Sequence, residues 1–307
     1  MGPSSTQIPS IEPEHGHRAR LLFLLILVFT LVALWTISPH AVRAALDRME
    51  SLLGHTAHAA ASPPASTPAD LEARLTAMTA QGQAELLVAE AVNHHPGALD
   101  LLNSRTDFWR GNLQETPHLK DLLQSAWNSD DLQVRGASLE VYLDIYDIQK
   151  NSESVSTLER RIADEPAARP WALWMLGALG NRGIEPIGVL REALSYVHDP
   201  NAETRMWAVE ALATLGTDDA IDPLLDALRN DPAPMVREQA ACGLAQSGMF
   251  TREQRRMAVP RLLEFAEDPA LDSTTRNWVF RALQDITAGN QGSNAHAWRQ
   301  WWQQHGQ

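Results

Sequence analysis

The sequence predicts an all-α protein, in which one membrane-spanning helix and a short stalk precede a solenoid of stacked helix pairs. Three observations predict it. The run from Leu21 to Ser38 holds eighteen positions without a charge. From about residue 130 the chain repeats itself, with an arginine recurring as Arg135, Arg169, Arg205, Arg237 and Arg276. An acidic residue followed by proline stands ahead of four of those five arginines.

Composition narrows the function classes first. The net charge is −13. Up to residue 69 the arginines Arg18, Arg20, Arg43 and Arg48 balance Glu12, Glu14, Asp47 and Glu50, so the whole acidic excess belongs to the folded part. An acidic surface repels phosphate backbones, which argues against a nucleic-acid partner. The single cysteine, Cys242, rules out an intrachain disulfide and sits in an apolar helical pattern, where it reads as a small core side chain.

A tail of residues 1–20 leads into the apolar run 21–38, long enough to cross hydrocarbon about 30 Å thick. Arg18 and Arg20 precede it and Arg43 and Arg48 follow, so flanking charge alone leaves the orientation open. A short tail ahead of a long C-terminal domain favours a signal anchor with the domain on the extracytoplasmic, periplasmic side. The rival is a cleaved signal peptide ending at Val42-Arg43-Ala44. The apolar run exceeds the usual core of about 7–15 residues, which favours the anchor. Residues 39–70 continue as a juxtamembrane segment and an Ala/Pro-rich stalk, including HTAHAAASPPASTP from His55 to Pro68. Small residues and prolines without an apolar period make a spacer rather than a core element.

Residues 71–118 carry helical runs such as LEARLTAM and AELLVAEAV that fit no repeat template, and they read as an N-terminal cap with a first, degenerate pair. Over 119–290 the units align on their arginines, which are separated by 34, 36, 32 and 39 residues. Three, four, six and seven positions after Arg205 come Ala208, Val209, Ala211 and Leu212, the stripe of a helix facing a core, and the other units follow suit. Small residues in that stripe allow neighbouring helices to approach closely. The pairs Asp199-Pro200, Asp231-Pro232 and Asp268-Pro269 read as helix starts, aspartate capping and proline fixing the first turn. Between them run the other helices of the pairs, such as AIDPLLDALRN. Residues 291–307 form a Trp-rich end in which Trp298, Trp301 and Trp302 share a helical face that would cover the last repeat.

The D-P-x(4)-R-x-x-A-x-x-x-L pattern, above all in DPAPMVREQAACGLAQSG, resembles HEAT and phycobilisome-lyase-type HEAT-like repeats, strongly over residues 165–290 and more weakly over 119–150. The tail NAHAWRQWWQQHGQ resembles the ends of bacterial HEAT-repeat proteins, some of them membrane-anchored. The resemblance implies a structural ladder of aspartate and arginine along the stack, here Asp199, Asp231 and Asp268 with Arg205, Arg237 and Arg276. The fifth unit departs from it by two extra residues between Asp268 and Arg276. Some HEAT-like proteins are di-iron hydroxylases with paired His-Glu motifs, but this chain has no His-Glu dipeptide.

No G-x-S-x-G, H-E-x-x-H, P-loop or C-x-x-C pattern is present, so no catalytic, cofactor-binding or metal-binding residue is assigned and the chain is read as a non-enzyme. His94-His95 reads as a surface pair in a turn, and Asp199 as a structural residue rather than an orienter for His198. Tryptophan placement is the most informative pattern. Trp171, Trp207 and Trp278 stand two positions after their arginines, and Trp174 extends the flank of its helix. One reading is a ledge on the concave face that grips an extended or helical partner segment, rimmed by Glu210, Glu238, Arg237 and Arg281. The other is that the rings fill gaps between repeats. The expectation is a right-handed α-solenoid of five or six HEAT-like helix pairs, serving as a membrane-tethered scaffold or adaptor for a protein partner. A structural subunit of a larger membrane complex and an enzyme of unrecognised type are the alternatives.

Overall fold

A computed structural model describes residues 67–306. The tail, the expected span 21–38 and most of the stalk lie outside the described residues. The chain divides into two units, Met1–Pro64 and Ala65–Gln307, and the second holds every element described below. No helix among the described residues is long and apolar enough to cross a membrane.

Helix α1 (Pro68–Leu75) starts within the segment read as stalk. Thr67 and Asp70 form a reciprocal capping box and Pro68 occupies the first turn, so the local sequence nucleates a helix there. Then follow α2 (Ala80–Val92) and α3 (Ala98–Trp109), the atypical first pair. The remaining pairs are α4 (Pro117–Trp127) with α5 (Leu132–Ile145), α6 (Ser152–Asp164) with α7 (Arg169–Asn181), and α8 (Pro186–Tyr196) with α9 (Ala202–Leu215). Next come α10 (Ile221–Asn230) with α11 (Pro234–Cys242), and α12 (Arg252–Met257) and α13 (Val259–Glu267) with α14 (Ser273–Thr287), before α15 (Ala295–His305) closes the chain. No strand occurs among the described residues.

The second helices form one layer: α7 packs on α9, α9 on α11 and α11 on α14, while each first helix packs on its own partner. This all-helical stacking is consistent with a solenoid. Its closeness comes from small side chains. A Cβ on Gly177 of α7 would lie 2.7 Å from the Ala211 carbonyl oxygen of α9, so the two backbones touch there. The apolar side chains form two clusters that meet at α5, one from Leu71 to Val141 and the other from Leu139 to Trp298. No single pair could bury its stripe alone.

One expectation about the turns and one about the core need correction. Asp199, Asp231 and Asp268 do not cap the helices. Their carboxylates accept from the backbone N–H of Asn201, Ala233 and Ala270, each at 2.8 Å, and so form Asx turns ahead of the helix. Asn201 caps α9, Asp272 caps α14, and α11 starts at Pro234 without a side-chain cap. The Asp-Pro pairs therefore shape the entry loop, one step earlier than expected. Cys242 is half-buried instead of lying in the core.

The C-terminal helix seats its first tryptophan in the stack. Trp298 is 1% exposed and its indole N–H donates to the Gly292 carbonyl at 2.8 Å. Trp301 meets it edge-on at 5.8 Å, and Trp302 lies under the Arg256 guanidinium at 4.8 Å.

Candidate functional site

Three of the aligned arginines tie their repeat to the next. Arg205 donates Nε and Nη2 to the two oxygens of Asp231, at 2.7 and 3.0 Å, and Nη1 to the Asp199 carbonyl at 2.8 Å. Both side chains are buried, and the paired carboxylate holds the guanidinium above its ordinary range. Arg237 repeats the motif, donating Nη1 to the Asp231 carbonyl at 2.8 Å and Nε to Thr275 Oγ1 at 2.8 Å, with Asp272 3.6 Å from its Nη2. Arg169 lies 3.7 Å from Asp199. Each rung thus joins the arginine of one repeat to an acid of the following one, and Arg205 and Arg237 also hold the carbonyls of their own entry turns.

The fifth unit changes acid because of its two extra residues. Asp272 has moved into the cap position and faces Arg237, whereas Asp268 pairs with Arg229. Arg276 still donates to the Asp268 carbonyl at 2.7 Å, but its Nε is buried without a partner.

The tryptophans separate into two groups. Trp174 stands edge-on to Tyr142 at 4.9 Å and to Trp127 at 6.2 Å. Trp171 stands edge-on to Tyr146 at 5.3 Å, with the Arg161 guanidinium 4.8 Å from its ring. These rings wedge α5 against α7. Trp207 and Trp278 share no ring pair with them among the described residues; both are half-buried on α9 and α14.

Beside Trp207 and Trp278 the same layer carries Glu210, Cys242 and Arg281, each five positions after its arginine. Burial pushes the Glu210 carboxyl up to about 7, opposed by a hydrogen bond donated by Gln239. Burial, and then Glu238, push the Cys242 thiol up. Arg281 is exposed. Trp278, Cys242, Glu238 and Arg281 line one small cleft between α11 and α14.

Elsewhere, His95 contacts Glu90 and His94 lies 3.7 Å from Asp131. His198 lines a cavity of about 440 Å³ with Asp199, which is already engaged in its rung. Among the described residues no group of three or more His, Cys, Asp or Glu is placed to hold a metal ion.

A cavity larger than that beside His198 involves residues that, Arg135 apart, no sequence pattern picks out. After α11 the chain winds into a π-helical turn, Gly243–Ser247, closed by a bond from the Gly248 N–H to the Gly243 carbonyl at 3.1 Å. Such turns are rare and concentrate at functional sites. Arg255 donates to the carbonyls of Leu244 (2.7 Å), Gln246 (3.0 Å), Gly248 (2.5 Å) and Phe250 (3.1 Å). Arg135 reaches the same turn across 111 residues, donating Nη1 to the Gln246 carbonyl at 2.6 Å. Together they satisfy carbonyls that a helix end leaves open. Burial, and then the neighbouring Arg135, lower the Arg255 guanidinium to about 10, and burial lowers that of Arg135 as well. Next to them a cavity of about 700 Å³ is lined by Trp127, Asp130, Leu132, Arg135, Phe250, Arg252 and Asp285, among others. The glycines of A-C-G-L-A-Q-S-G were a local signal for an irregular turn; the approach of Arg135 had none.

A family model described as HEAT repeats matches residues 155–245. Over that stretch the chain is similar to HEAT repeats. Among solved structures, that of an engineered protein is 16% identical, with 73% of this chain and 97% of that one covered and a TM-score of 0.31. No curated protein matches the chain.

Proposed function

We propose that this HEAT-like repeat domain is a non-enzymatic scaffold or adaptor that binds a protein partner along the layer of second helices, on a right-handed solenoid tethered by residues 21–38. The family match supports the general mode, since HEAT repeats commonly mediate protein–protein interaction. The observation that carries the location is the division of the tryptophans. Trp171 and Trp174 are taken up in the α5–α7 wedge, and Trp207 and Trp278 are not. The latter two share their layer with Glu210, Cys242 and Arg281, a mixed aromatic and polar surface of the kind that anchors partners. The expected ledge is accordingly shortened to its C-terminal half in this proposal. The extracytoplasmic placement of the domain belongs to the same proposal, and a reporter fused at the C-terminus tests it.

Crosslinking in native membranes, followed by purification of the full-length chain beside a Trp207→Ala, Trp278→Ala double variant, tests the binding face. A partner held by the parent and lost from a variant with unchanged melting is the expected result. Equal capture by both moves the surface elsewhere, and capture by neither removes the scaffold reading.

A further inference from the structure

The cavity beside the π-helical turn is not used by the tryptophan surface, and its charge is unlike the rest of the domain. Arg135, Arg252 and Arg255 face it against Asp130 and Asp285, a surplus of one positive charge in a chain of net charge −13. Part of that charge is committed to the fold. Arg255 gives all three nitrogens to backbone carbonyls, and Asp285 accepts from Gln246 at 2.6 Å. Arg135, only 7% exposed, uses Nε on Ser129 and Nη1 on Gln246, which leaves Nη2 without a protein acceptor among the described residues. Arg252 is exposed and makes no hydrogen bond or ion pair there either. In the same wall the Ser247 hydroxyl is shielded from solvent and unpaired. An unmet polar group in a native fold calls for an explanation. Half-buried Trp127 and Leu132 supply apolar surface between these groups, with Phe250 and Ile286 almost wholly buried behind them.

We propose that this cavity captures the C-terminal end of a partner polypeptide. The free α-carboxylate is held between Arg135 and Arg252, and the last apolar side chains rest on Trp127 and Leu132. Charge decides among occupants. A polyanion would enter against the field of a domain bearing −13, whereas one carboxylate matches a surplus of one. An uncharged apolar ligand would cover the free guanidinium donors without pairing them, which is costly. Guanidinium and carboxylate match in shape as well as sign, through parallel N–H donors. The cavity volume of about 700 Å³ falls within the range of about 300–1,000 Å³ that ligand sites occupy. The nature of the partner rests on the scaffold reading; the carboxylate site itself does not.

The test uses the full-length chain in detergent and an N-terminally labelled pool of tetrapeptides ending in Leu-Phe, read by fluorescence polarisation. The same pool carrying a C-terminal amide is the control. Arg252→Glu reverses the charge in the cavity, and Arg191→Glu makes the same change on an exposed arginine that lines none of the cavities described. The free acids are expected to bind, with amidation or Arg252→Glu weakening them about tenfold or more, the scale of one lost charge-assisted contact. Arg191→Glu is expected to leave binding unchanged. Equal binding of acid and amide overturns the proposal, as does indifference to Arg252→Glu or displacement by sodium acetate at the concentration of the peptide. Absence of binding at about 1 mM peptide, the weak end of specific association, overturns it too. In each of these cases the tryptophan surface is still judged separately by membrane crosslinking.

Discussion

Replacing Asp231 with alanine removes both acceptors of the Arg205 guanidinium, bound at 2.7 and 3.0 Å where each residue is 8% exposed. Breaking a buried pair on one side costs about 3–5 kcal/mol, because the remaining charge stays desolvated. Arg205 keeps its bond to the Asp199 carbonyl, which puts the loss near the lower end. The Asx turn is lost as well, since Asp231 also accepts from the Ala233 N–H; that adds about 1 kcal/mol. A total of about 4 kcal/mol corresponds to a fall of roughly 8–16 °C in Tm for a domain of this size. Thermal unfolding of the full-length chain by circular dichroism measures it. Arg229→Ala, which breaks the more exposed pair with Asp268, serves as the comparison and is expected to cost under about 1 kcal/mol. If the two variants melt together, the rungs do not couple the repeats and the reasoning fails.

Gly177→Ala is expected to lower stability by about 1–3 kcal/mol, since its Cβ would press on the Ala211 carbonyl oxygen, whereas helix propensity alone would raise it by up to about 1 kcal/mol. The sign of the Tm shift decides. Trp174→Ala is expected to cost about 3 kcal/mol by emptying the α5–α7 wedge, and Trp278→Ala clearly less; paired melts that rank them the other way would dissolve the distinction between wedge and surface. Glu210 sets a pH dependence. Its folded pKa is about 7, above the carboxyl's ordinary value, so the folded chain keeps a proton that the unfolded chain releases. Its stabilising contribution is therefore complete below about pH 4 and is lost as pH rises to about 7. Asp144, also pushed up to about 7 by burial, acts with the same sign. Glu210→Gln should flatten part of that decline and raise stability at pH 8, measured by urea unfolding across pH; an unchanged slope would show that Glu210 titrates normally.

What the sequence disclosed was whatever a repeat encodes within itself. The arginine spacing marked the second helices because each helix carries its own stripe, such as Ala208, Val209, Ala211 and Leu212, all buried. The rungs were legible as pairs of residue types but not in their pairing. Arg237 meets Asp272 rather than Asp268 because two inserted residues move the cap, and the register of an acid across a turn is set by backbone geometry. The fate of Trp171 and Trp174 was not legible either, since their partners Tyr142, Tyr146 and Trp127 lie on the preceding pair and become neighbours only on stacking. The cavity was the least accessible. Arg135 meets Gln246 through the accumulated rotations of two intervening repeats, a sum to which no local motif points.

The most direct test of the central claim places a photo-crosslinking residue, p-benzoylphenylalanine, at one position at a time in the full-length chain expressed in cells. Arg281 is on the second-helix layer and Glu264 on the first-helix layer, and both are well exposed. A discrete protein adduct from position 281 and none from position 264 is the result the scaffold account predicts. Adducts from 264 alone, or from neither position, would contradict a partner seated along the second helices.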